Sequence, residues 1–182
     1  MTDLRIRRTK RLIQTAFIEL VNQIGFKQVT VTKIATTAMI NRQTFYHHYT
    51  DKYDLAASLQ TNFFEGLDHV IFTHRTDFAV NLPFHQRIAS LHKYISQYIL
   101  DNRQLVLTLR KTNPGPQSFD QILITRIDPL FSKIIDQPTT ALTKQALTYL
   151  ALGELDYVID HNRLPNEAEF QELHTTLKKI FE

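Results

Sequence analysis

Along almost the whole chain, apolar side chains return every three or four residues, the spacing that places them on one face of an α-helix. In residues 4–24 the stripe is Leu12, Ile13, Ala16, Phe17, Leu20, Val21 and Ile24, and Gly25 stands where such a helix would end. Four glycines and six prolines in 182 residues leave few places to interrupt the pattern. A chain of this kind is constrained to fold as helices packed on helices.

The same reading continues downstream. Thr30 is placed to cap a short helix whose inner face is Val31, Ile34, Ala35 and Ala38. Asn41 is placed to cap another, in which Phe45, with Tyr49 at i+4 as a second candidate, supplies the buried side. Asp51 opens a longer helix, with Asp54 in its first turn and a stripe of Leu55, Leu59, Phe63, Leu67, Val70 and Ile71 reaching about residue 73. Ile88, Leu91, Ile95, Tyr98 and Ile99 mark the next helix, and a shorter one covers 103–111 before the loop signal TNPGPQS. Residues 118–136 read as a helix that Pro129 should kink or split near Asp128. Pro138 and Thr139 introduce a helix over 140–161, and Asn166 with Glu169 forms a capping box for the last, over 167–181. The expectation is an all-α protein of about nine helices: an N-terminal three-helix domain, then a larger helical domain.

Charge divides the chain unevenly. Residues 1–55 carry nine Lys and Arg against four Asp and Glu, whereas the remainder carries 12 basic and 14 acidic side chains. A basic N-terminal third on a slightly acidic body points to a polyanionic partner. The absence of cysteine excludes disulfides, thiolate metal sites and cysteine nucleophiles. The N-terminal stretch lacks the apolar run and cleavage site of a signal peptide, and no segment approaches the roughly 18 apolar residues of a membrane span. A cytoplasmic protein with no membrane partner is expected. No cofactor or metal is expected either: His47 and His48 are adjacent and diverge by about 100° on a helix, and Glu65 with His69 lacks a third ligand. Without a glycine-rich elbow or phosphate loop, an enzyme is not expected.

Only two or three residues turn the chain from the helix ending near Ala38 into the one starting after Asn41. Two helices joined so tightly, the second exposing Arg, Gln, Thr, Tyr and His, describe a helix-turn-helix. Such a helix fits the major groove, where Arg pairs with guanine, Gln with adenine and a Thr methyl with thymine.

The stretch VTKIATTAMINRQTFYHHYTDKYDL resembles the DNA-binding signature of the tetracycline-repressor (TetR) family of bacterial transcription regulators. The matching positions are Gly25 and Phe26, then Thr30, Val31, Ile34, Ala35, Ala38 and Ile40, then Thr44, Phe45, Tyr46, His48, Tyr49, Lys52 and Leu55. Met39 departs from the pattern, standing where the family usually has a glycine in the turn. A looser resemblance, to regulators of dihydroxyacetone kinase operons, runs through INRQTFYHHYTDKYDL and LALGELDYVIDHNRLPNEAEF.

The family resemblance implies a helix-turn-helix domain over residues 1–50 and a regulatory and dimerisation domain over 51–182, with helix 51–73 connecting them. It implies Arg42, Gln43, Thr44 and His47 facing bases, and Thr32, Lys33, Tyr46, Tyr49 and Lys52 contacting phosphates. An arm of Arg5, Arg7 and Arg8 would track a groove edge. In the C-terminal domain Phe84, Tyr94, Tyr98, Leu109, Phe119, Phe131 and Tyr149 are candidates to line an apolar effector pocket. Leu147, Leu150, Ala151 and Leu155 on one helix and Phe170, Leu173 and Leu177 on the next are candidates for a homodimer interface, with Gly153 allowing close approach. The implied function is a transcription regulator on a double-stranded DNA operator, a repressor released by a small-molecule effector. The alternative is a co-activator of the same fold that acts through a partner regulator. A helical carrier or enzyme is a third reading, and it leaves the basic N-terminal third without a purpose.

Overall fold

The structure is a computed structural model that describes residues 2–78, 84–112, 118–135 and 140–181. Among these residues there are nine α-helices and no strand: α1 Thr2–Ile24, α2 Val31–Thr37, α3 Arg42–Tyr46, α4 Lys52–Thr73, α5 Phe84–Asp101, α6 Arg103–Thr112, α7 Phe119–Ile135, α8 Ala141–His161 and α9 Glu167–Phe181. Two short 3-10 turns, Phe26–Gln28 and Arg75–Phe78, follow α1 and α4. The helical pattern read from the apolar spacing is what the backbone adopts. The expected loop over TNPGPQS and the breaks at Pro138 and Thr139 lie largely or wholly outside the described residues. Of the kink or split expected at Pro129, the split does not occur: α7 runs on through it. A proline removes only one backbone donor from a helix.

The chain divides into two compact units. The first comprises residues 1–69 and 104–126, the second 70–103 and 127–182. In the first unit, Ile13, Phe17, Val21, Ile34, Phe45, Leu55 and Leu67 are essentially inaccessible. Phe119 stacks on Phe64 with ring centroids 5.3 Å apart and meets Phe63 edge-on at 5.1 Å. Helix α6 is tied to α1 by Asn22, whose amide donates to the Gln104 carbonyl and the Thr108 hydroxyl, both at 3.1 Å. In the second unit, Leu91 and Phe131 centre a cluster joined by Ile95, Leu130, Ile135, Leu147 and Ala151. Arg103 closes the end of α8 by donating from Nε to the Ile159 carbonyl. No described helix is long and apolar enough to cross a membrane.

Candidate nucleic-acid interface

Three helices and two tight turns build the site. Gly25 ends α1 with φ at 78°, a left-handed conformation that a side chain would strain, and the chain reverses into the turn at Phe26–Gln28. Thr30 then caps α2, its hydroxyl accepting the Lys33 N–H at 3.2 Å. Asn41 caps α3 in the same way, accepting the Gln43 N–H at 2.9 Å. At five residues α3 is too short to hold itself helical. Its only buried side chain, Phe45, fastens it to the core, with ring centroids 5.9 Å from Tyr49.

The turn between α2 and α3 is a Schellman cap. The Ile40 N–H bonds the Ala35 carbonyl at 2.9 Å and the Met39 N–H bonds the Thr36 carbonyl at 3.1 Å. That motif places its closing residue at positive φ, and Met39 stands there at 54° with 93% of its surface exposed. A side-chain-bearing residue in this conformation loads the turn with strain. Left-handed backbone costs a side-chain-bearing residue about 1–2 kcal/mol, and glycine loses about 0.5–1 kcal/mol of that advantage to unfolded-state entropy. Met39→Gly is therefore expected to stabilise the protein by about 0.5–1 kcal/mol, read as a higher thermal midpoint. A lowered midpoint would contradict the strain.

Phe45 faces inward, so its neighbours face outward. Arg42, Gln43 and His47 are exposed, Tyr46 is half-exposed and Thr44 is partly covered. Thr32 and Lys33 are exposed on α2. This is a continuous polar surface around the first turns of α3, the part of such a helix that reaches base edges. His48 is pulled back, and burial, then the charges of Lys10 and His47, hold its imidazole below the ordinary value. Arg5, Arg7 and Arg8 are exposed on the first turns of α1, as part of a helix instead of an extended arm.

Three of the residues expected at phosphates make contacts within the chain. Tyr49 is buried, with 4% exposure, and its hydroxyl accepts from the Gln14 amide at 3.1 Å. Burial pushes its phenol above the ordinary range. The Lys52 ammonium donates to the Phe26 and Val29 carbonyls at 2.9 Å each and to the Lys27 carbonyl at 3.4 Å. The Lys33 ammonium donates to the Gln28 carbonyl at 3.1 Å. Gln14 and these carbonyls carry no motif, and only their fold brings them to the site.

The C-terminal expectations separate in a similar way. Phe119 and Leu109 are buried core of the first unit, and Phe131 is core of the second. Tyr94 stacks on His74 at 3.5 Å, Tyr98 is partly covered, and the Phe84 side chain lies outside the described residues. Tyr149 is 61% exposed. The second unit does hold a cleft of about 800 Å³ between α5, α8 and α9, but its walls include Ala89, His92, Ser96, Glu154, Leu164 and Phe170. Glu154 accepts from the Ser96 hydroxyl at 2.9 Å and pairs with His92 Nδ1. Burial holds the His92 imidazole below its ordinary value. His92 and Ser96 lie one turn apart on an otherwise apolar helix face, and polar residues inside an apolar stripe are a signal legible in the sequence. Among the described residues no three His, Asp or Glu are grouped to hold a metal.

Of the expected interface residues, Leu147 and Ala151 pack on the Leu91–Phe131 cluster and Leu155 is buried. Phe170 is partly covered, its ring 5.5 Å from that of His92. Leu150 at 45% and Leu173 at 48% remain exposed, alongside Leu142 at 77% and Ile180 at 66%, with Leu177 partly covered.

Residues 13–59, which span this helix-turn-helix, match the family model described as bacterial regulatory proteins, tetR family. A comparison with curated proteins finds no match. Among solved structures, a TetR-family transcriptional regulator from Haemophilus influenzae aligns over 90% of this chain and 91% of its own, with TM-score 0.62 and 18% identity. The TetR family transcriptional regulator PfmR from Thermus thermophilus aligns over 84% and 85%, with TM-score 0.64 and 14% identity. The fatty acid degradation regulator FadR from Bacillus halodurans aligns over 83% and 82%, with TM-score 0.58 and 17% identity. At these identities the likeness is one of fold. A dihydroxyacetone kinase operon activator aligns at TM-score 0.49, too low to bear on the subgroup resemblance.

Proposed function

We propose that this chain, whose residues 13–59 form a tetR-family domain, is a homodimeric, cytoplasmic transcription regulator that reads a palindromic operator. Residues 1–50 do the reading, and residues 51–182 dimerise and take an effector whose binding releases the DNA. The observation that carries the reading is the capped α3 with its exposed Arg42, Gln43, Tyr46 and His47, set in the basic third of the chain. A helix of this kind can present Arg42 to guanine and Gln43 to adenine, while Thr32 and Tyr46 are free to meet phosphates. The protein acts by binding and not by catalysis.

Two copies paired through α8 and α9 would set their α3 helices about 34 Å apart, one turn of DNA. The stripe of exposed Leu142, Tyr149, Leu150, Leu173 and Ile180 supports that pairing, since an apolar patch of this kind marks an association surface. The cleft beside Glu154 is the natural effector site: its size suits a small organic molecule, and the carboxylate offers an anchor for a donor group. A ligand there that favours one arrangement of the dimer lowers operator affinity by the same differential.

Gln43→Ala tests the reading helix. Its loss should cost about 1–3 kcal/mol on the preferred operator and relax preference at one base pair of each half-site, leaving other positions as they were. Uniform loss across every base variant would contradict a readout role.

A further inference from the structure

We propose that the cleft between α5, α8 and α9 takes an organic cation: a protonated amine on a small apolar body, its ammonium paired with the Glu154 carboxylate. The inference rests on the effector reading given above and assigns that effector a chemical class.

All the walls of this cleft belong to the second unit, and its volume of about 800 Å³ is that of a small-molecule site. Leu164, Pro165 and Phe170 make part of the lining apolar. Into this setting α8 brings a carboxylate: Glu154 lies on the wall with 11% of its side chain exposed. A carboxylate so far withdrawn from water is costly unless its charge is matched. Its partners within the chain do not match it. The Ser96 hydroxyl donates to Oε1 at 2.9 Å, and His92 approaches Oε2 through Nδ1. Burial disfavours the imidazolium, so His92 brings a proton to the pair without a fixed charge. Two donors leave about two of a carboxylate's four acceptor positions open.

The rest of the lining agrees in sign. Of the fixed charges on it, Glu154 and Glu167 are negative and Lys93 is positive. Lys93 is exposed, and its ammonium lies over the ring of Tyr94, which is no part of the lining, at 5.5 Å. The Phe170 ring, 5.5 Å from that of His92, adds an aromatic surface of the kind that attracts cations. An anionic effector would meet two carboxylates here, and a neutral one would leave the charge of Glu154 unmatched. An ammonium supplies both the charge and the donors, and the apolar lining receives the body that carries it.

The test is calorimetric titration of the full-length protein, without DNA, using three probes that share one chain and differ in head group: octylammonium, 1-octanol and octanoate. The cation site predicts octylammonium bound at least about tenfold more tightly than octanol, with octanoate weakest. Glu154→Gln keeps the length of the side chain and an oxygen for Ser96 while removing the charge. It should weaken octylammonium by about thirtyfold or more, the usual loss when an enclosed charge pair loses one partner, and so erase the preference for the amine. Octanoate bound as tightly as the amine, equal binding of all three, or no binding of any at millimolar concentration would overturn the proposal. So would a Glu154→Gln protein that binds the amine like the wild type. If that variant does not fold, the wild-type ranking decides alone. Operator affinity measured with each probe present separates the cation site from the effector reading. An amine that binds as predicted and leaves operator affinity unchanged would sink the effector reading and leave the cation site standing. Release of the operator by octanoate in preference to the amine would do the reverse. A wild type that binds no DNA would remove the regulator, and the titration would still decide the cation.

Discussion

Truncation of Phe45 to alanine is expected to destabilise the first unit by about 3–5 kcal/mol and to abolish operator binding. The side chain is fully buried and is the sole buried residue of α3. Its ring meets Tyr46 at 5.7 Å and Tyr49 at 5.9 Å, so removing it opens a cavity among aromatic neighbours that cannot collapse cheaply. A five-residue helix has no stability of its own, so the same loss frees α3 from the surface that aims it. Against a total stability of about 5–15 kcal/mol, this is a large share. Phe45→Leu, which keeps most of the volume, should cost far less and retain binding. Melting by circular dichroism together with operator titration checks both variants. A Phe45→Ala protein that melts with the wild type and binds normally would contradict the packing described here.

The second large effect concerns the outward face of α8 and α9. Leu150→Glu combined with Leu173→Glu should convert a dimer to monomers and weaken operator binding by about a hundredfold or more, because two linked half-site contacts become one. Both leucines are about half exposed within their own unit, so the monomer's fold should be disturbed little, within about 0.5 kcal/mol per site. Sedimentation equilibrium reports the mass, and a half-site duplex reports whether residual binding survives. A double variant that remains dimeric would place the interface elsewhere.

Periodicity carried the fold because nearly every helix here buries one stripe, and one stripe is what spacing encodes. The caps were equally legible: Thr30, Asn41 and the Asn166–Glu169 box sit where short polar side chains can meet free N–H groups, and the structure shows the bonds of all three. Direction was harder to read. Tyr49 and Lys52 match family positions by identity, yet what each touches depends on Gln14, 35 residues away, and on a turn 23 to 26 residues away. Helix α8 shows the limit most clearly. Its leucines and alanines are spread over every side of the helix, so spacing could not say that Leu147, Ala151 and Leu155 face inward while Tyr149 and Leu150 face out. The aromatic residues expected around a pocket belonged to the same ambiguity: an inward ring packs on a neighbour as readily as on a ligand. The polar trio His92, Ser96 and Glu154 is a more specific mark of a cleft than any of them.

Whether α3, fastened by Phe45 and its caps, reads DNA sequence is decided by incubating the purified protein with a library of random duplexes, sequencing what it retains, and titrating the recovered sequence against salt. A sequence-reading α3 should enrich a palindrome with half-sites one helical turn apart, with an affinity whose logarithm falls linearly with that of salt concentration. No enriched sequence, or binding indifferent to salt, would contradict it.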